Sequence, residues 1–98
     1  MSTIGNQVSS NFAYVKKTLS EAALYEQLAE ECIELAHACQ KKARLLRGEN
    51  PTPLTINDVN GMVDEEYADV TLVCRLLGLV LDRDIYYKKL DRWADRLS

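Results

Sequence analysis

The sequence predicts an all-α domain, an antiparallel helical hairpin plus a C-terminal helix. Three observations carry that expectation. Two long segments, about 20–47 and 55–77, place apolar residues at helical spacing and are bounded by cap and stop residues. A short stretch holding both prolines separates them, which suits antiparallel neighbours. A third segment, from Asp82 or Asp84 to about Leu97, repeats the helical spacing.

The elements follow in order. Met1 to about Asn6 reads as a frayed tail. Gln7 to Lys17 has moderate helical character, with Val8, Phe12 and Val15 on one side, and is expected to pack on the bundle as a short helix or arm. The first long helix begins near Thr18 to Ser20. Thr18-Leu19-Ser20-Glu21 has the capping-box pattern, and Ser20 is an alternative N-cap. Its apolar stripe is Leu24, Leu28, Leu35, Cys39 and Leu46. Lys41, Lys42, Arg44 and Arg47 suit the negative end of the helix dipole, and Gly48 is the expected stop. Glu49 to Leu54 is a loop, because the Asn-Pro and Thr-Pro steps disfavour helix.

The second long helix starts near Thr55 or Asn57, where Thr55-Ile56-Asn57-Asp58 again resembles a capping box. Its stripe is Val59, Met62 or Val63, Val70, Val73 and Leu77, and Gly78 is a natural stop. Gly61 weakens its first turns by roughly 1 kcal/mol relative to Ala. The third helix has the stripe Tyr86, Leu90, Trp93, Leu97 and a polar face with Lys88, Lys89, Arg92 and Arg96.

At 98 residues the chain reads as one domain, short for a self-sufficient core. Association into a homodimer or homotetramer through apolar helix faces is expected. The net charge of −3 argues against non-specific nucleic-acid binding, which needs a basic footprint. No apolar run approaches the ~20 residues of a membrane span, and no signal-peptide pattern opens the chain. A cytoplasmic location is the expectation.

Acids stand where these helices should carry core residues. Residues three apart on a helix share a face, so Glu31 and Glu34 project together from the first long helix, and Glu66 and Asp69 from the second. Glu31 falls between Leu28 and Leu35, and Glu66 falls within the second stripe. A hairpin brings the two pairs face to face. Clustered carboxylates in a helix seam are costly unless a cation neutralises them, and all-oxygen donors suit Mg²⁺ or Mn²⁺, which also bind phosphates. The bland alternative is two solvated acidic faces.

The order Glu30-Glu31-Cys32-Ile33-Glu34 followed by Glu66-Tyr67-Ala68-Asp69 resembles the E-E-x-x-E and E-x-x-D motifs of the MazG-like all-α nucleoside triphosphate pyrophosphohydrolases. The resemblance spans about residues 20 to 96. It implies hydrolysis of a nucleoside triphosphate at the α-phosphorus, releasing pyrophosphate, with Glu31, Glu34, Glu66 and Asp69 as Mg²⁺ ligands. Glu30 and Glu65 are adjacent acids able to orient or deprotonate the attacking water, and the family's first motif points to Glu30. Lys88 and Arg92 match the basic pair that follows the second motif and would clamp substrate phosphates; otherwise they belong to a solvated face. The close alternative within the same chemistry is a phosphoribosyl-ATP pyrophosphohydrolase or a pyrimidine-specific dNTPase, which share the acidic helical architecture. No appended regulatory domain is expected.

Other features point less sharply. Cys32, Cys39 and Cys74 are an odd count on helices and are expected to be small buried hydrophobes, not a disulfide or zinc set. Glu34 and His37 form an E-x-x-H, the motif of di-iron carboxylate bundles, but the second motif ends in Asp69 and His37 is the sole histidine, expected to be partly exposed. Trp93 and Tyr86 are expected to pack in the core, not to stack on a base. The competing classes are a di-metal redox bundle and a non-catalytic helical interaction module.

Overall fold

Four helices follow one another in the computed structural model, which describes residues 3–49 and 53–98. They are α1 (Thr3–Thr18), α2 (Glu21–Arg47), α3 (Ile56–Leu76) and α4 (Arg83–Leu97). The domain is all-α. Among the described residues no helix is long and apolar enough to cross a membrane.

The helix ends follow from local chemistry. The Ser20 hydroxyl accepts the Ala23 N–H at 3.0 Å and starts α2. Thr18, in contrast, closes α1 and donates its hydroxyl to the Tyr14 carbonyl, so the capping-box alternative on Thr18 does not form. Gly48 ends α2 in the left-handed region at φ 69°, with Gly48 N–H donating to Leu45 O and Glu49 N–H to Arg44 O. Gly78 repeats that device after α3 at φ 70°, with Leu79 N–H donating to Cys74 O.

Thr55 and Asp58 form a reciprocal capping box at the start of α3: Asp58 N–H donates to Thr55 Oγ1 at 3.2 Å and Thr55 N–H to Asp58 Oδ2 at 2.8 Å. Thr55→Ala should therefore lower stability by about 1 kcal/mol, read as a drop in urea midpoint at unchanged m-value. Asp82 caps α4 by accepting the Ile85 N–H.

α2 and α3 form the hairpin, and among the described residues α1 packs on α3 and on no other helix. The core is small: Leu24 and Ala38 from α2 meet Val59, Val73 and Leu76 from α3. Val8, Phe12 and Val15 of α1 do share one side, where with Leu72 and Leu76 they line a shallow apolar hollow.

Several expectations are corrected. Residues 3–6 are helical, not a tail; Met1 and Ser2 lie outside the described residues, as do Asn50, Pro51 and Thr52 of the expected loop. On α2, Cys39 and Leu46 are exposed, Leu46 by 68%, while Ala38 is buried. At 100° per residue Cys39 lies about 60° around α2 from Leu24, on the side away from Ala38, which lies about 40° the other way, while Leu46 sits in the last turn of the helix; Leu28 and Leu35 stay half-buried near the face that meets α3. Cys32 is exposed as well and Cys74 is only half-buried, so none of the three cysteines is the fully buried hydrophobe expected.

The largest difference is α4. Among the described residues it packs against no other element. Tyr86, Leu90, Trp93 and Leu97 are all more than half exposed, so the expected core role of Trp93 and Tyr86 is not met within this chain. An apolar stripe states that a helix has a face to bury, not which surface will bury it.

Candidate metal centre

The antiparallel hairpin sets the middle of α2 beside the middle of α3. Glu31 on α2 and Glu66 and Asp69 on α3 each offer a carboxylate oxygen, and these atoms lie within 4.8 Å of one another. The trio comes from two helices whose ends are fixed by the caps at Ser20 and Thr55, so helix geometry holds it in place, not a loop.

One further residue belongs to the site. Gln27 Nε2 donates to Glu31 Oε1 at 2.7 Å from one turn earlier on α2. This bond helps to orient the Glu31 carboxylate, which can accept more than one hydrogen bond or ligand contact. Gln27 was not among the sequence candidates. Its signal was the i, i+4 spacing of an amide and an acid on the hairpin-facing side.

The electrostatics follow from crowding. Partial burial between the helices pushes the Glu66 carboxyl above its ordinary range, and the charges of Asp69, Glu31, Glu34 and Glu65 push it the same way. Among the described residues no Lys or Arg forms an ion pair with the trio; the one ion pair is Arg47 with Glu49, at the surface. The donor set fits a hard divalent cation: oxygen only, negative and uncompensated.

The other candidates are placed as follows. Glu34 stands one turn after Glu31, exposed and outside the converging trio, though its charge reaches Glu66. Glu30 and Glu65 are exposed acids beside the trio in sequence. Lys88 and Arg92 lie on α4 and are not brought to the acidic centre within this chain. Instead Arg92 lines a hollow of 220 Å³ with Lys89, Trp93 and Arg96. His37 is exposed on α2 and takes no part in the trio.

No protein-family model, no curated protein and no solved structure matches this chain.

Proposed function

We propose that this chain is a divalent-cation-dependent nucleotide pyrophosphohydrolase of the MazG-like kind, converting a nucleoside or deoxynucleoside triphosphate to the monophosphate and pyrophosphate. The observation that carries the reading is the convergence of Glu31, Glu66 and Asp69, one carboxylate from the first acidic motif and two from the second. Helices that placed those acids merely as solvated charges would gain nothing by directing them at one another across the seam.

In this reading Glu31, Glu66 and Asp69 hold Mg²⁺, or Mn²⁺, with Glu34 one turn away. Bound there, the cation supplies charge neutralisation for phosphate oxygens and acidifies a water. Gln27 keeps Glu31 oriented for that task through its hydrogen bond. Glu30 is the residue assigned to orient the attacking water and take its proton. The role of Lys88 and Arg92 is to clamp phosphate oxygens, which requires α4 to be seated beside a centre it does not touch in the single chain.

The test is pyrophosphate release from a panel of NTPs and dNTPs, with Mg²⁺ and with chelator, on the wild type and on Asp69→Asn. Pyrophosphate and monophosphate should appear only with the metal and fall at least ~100-fold in the variant, since losing even a group that supports a ligand costs 10–100-fold. Release of orthophosphate would mean another bond is cut. No turnover and no Mg²⁺-dependent nucleotide binding would end the hydrolase reading.

A further inference from the structure

α4 has an apolar face and nothing in the chain to set it against. Among the described residues it packs on no other element. Its apolar line, Tyr86, Leu90, Trp93 and Leu97, falls within about 60° of arc at 100° per residue. The connector before it continues the same character: Val80 is 89% exposed and Leu81 64%. Monomeric domains rarely present contiguous apolar surface of this kind unless something binds there.

The charges on α4 are sorted by angle. Measured from the centre of the apolar line, Lys89 and Arg96 stand about 70–90° to one side and Arg83 about 50° to the other. Asp84, Asp91 and Asp95 all lie about 130° or more away, on the back of the helix. Cations therefore edge the apolar line, and every acid within the helix stands away from it. The chain as a whole is divided the same way. Residues 83–97 carry five Lys and Arg against three acids, whereas residues 1–82 carry seven against twelve.

We propose that α4 is a peripheral anchor that lies flat on an anionic lipid surface, with its apolar line among the acyl chains and Lys89, Arg92 and Arg96 at headgroup level. The residue types favour lipid over a protein partner. Half of the line is Tyr and Trp, side chains that prefer the boundary between apolar and polar phases. Tyr87 stands edge-on to Tyr86, with ring centres 5.5 Å apart, and widens that aromatic surface. Long cationic side chains beside the line can run their stems over the acyl region and keep their charge among phosphates. The phosphate also has a seat. Lys89, Arg92, Trp93 and Arg96 line a hollow of 220 Å³, three cations around one indole. A phosphodiester headgroup matches that hollow in charge, and the acyl chain below it meets the indole. No described helix is long and apolar enough to cross a membrane, so the contact is with one face of the bilayer.

The rest of the chain permits this placement. Because α4 touches no other described helix, it can lie in the surface while the acidic hairpin stands off it, and repulsion between exposed charges fades over about 8 Å at physiological salt. A helix of 15 residues is marginal in water by itself. Burying its apolar line at the lipid surface supplies the stabilisation that packing within the chain does not. Lipid binding is separable from the proposed hydrolysis except at Arg92, which cannot hold a headgroup and a substrate phosphate at once.

The test uses the full chain and two kinds of vesicle, phosphatidylcholine alone and equal parts phosphatidylcholine and phosphatidylglycerol. It reads binding, not activity, so it stands or falls apart from the proposed hydrolysis. Trp93 is the sole tryptophan, so its emission reports α4 directly. With anionic vesicles the chain should co-sediment and the emission should shift to the blue. Binding to neutral vesicles should be at least ~10-fold weaker, and high salt should narrow the difference. Soluble glycerol phosphate at the same phosphate concentration should leave the emission unchanged. Trp93→Glu should abolish co-sedimentation, and Lys89→Glu with Arg96→Glu should remove the preference for anionic vesicles. α4 packs on no other described element, so these variants should keep the fold, checked by circular dichroism. No binding to anionic vesicles overturns the proposal. So does equal binding to neutral vesicles, an equal emission shift with glycerol phosphate, or binding that survives Trp93→Glu. A Trp93 emission that moves to the blue with protein concentration in the absence of lipid also overturns it, because a second copy then covers the line.

Discussion

Leu76→Ala should cost about 2–5 kcal/mol of stability, the range for removing a buried leucine side chain. Leu76 is 5% exposed and lies where three helices meet. With Val8, Phe12, Val15 and Leu72 it lines the hollow between α1 and α3, and with Leu24 and Leu77 it lines another beside the start of α2. Among the described residues only Leu24, Ala38, Val59 and Val73 share its degree of burial. Natural domains keep about 5–15 kcal/mol in total, so one such loss in so small a core should unfold much of the population. Far-UV circular dichroism against urea reads the result. A loss below 1 kcal/mol would mean that the stability resides between chains and not in the hairpin.

Glu66→Gln should act in opposite directions on stability and on metal response. The shift on Glu66 is upward, so folding favours its protonated form. Its favourable contribution is therefore present below the ordinary carboxyl value of 4.5 and is lost as pH rises through the raised folded-state value. At neutral pH, in chelator, the charged Glu66 works against the fold. The glutamine removes that charge and should raise the neutral-pH Tm while flattening its dependence on pH above 4.5. Adding Mg²⁺ should raise the wild-type Tm by linkage and leave the variant nearly unmoved. The check is a thermal melt series across pH, with chelator and with Mg²⁺. Equal Mg²⁺ responses in the two proteins would remove Glu66 from the site.

How much of the centre was legible in the sequence differs residue by residue. Glu31 and Glu66 stand out because an acid inside an apolar stripe contradicts the stripe, and that contradiction is visible without coordinates. Glu34 and Asp69 join them on spacing alone. Residues three apart share a broad face, but the convergence of oxygens depends on rotamers and on the angle at which two helices cross, and these placed Glu34 outside the trio. Gln27 was missed because its role exists only through its bond to Glu31.

The same division runs through the fold. Sequence alone determined the three longer helical segments, their stops at Gly48 and Gly78, and their caps to within a residue or two: Thr18 or Ser20, Thr55 or Asn57, and Asp82 or Asp84, of which the structure uses Ser20, Thr55 and Asp82. Those are contests between a side chain and a few nearby backbone groups, decided within four residues. Sequence also determined that each helix has an apolar face. Tertiary structure decided which faces meet. It buried Ala38 and left Cys39 and Leu46 outside, and it left the stripe of α4 without a neighbour in the chain. Burial is non-directional, so an apolar face specifies only that it must leave water; which surface covers it is settled by shape across the whole assembly.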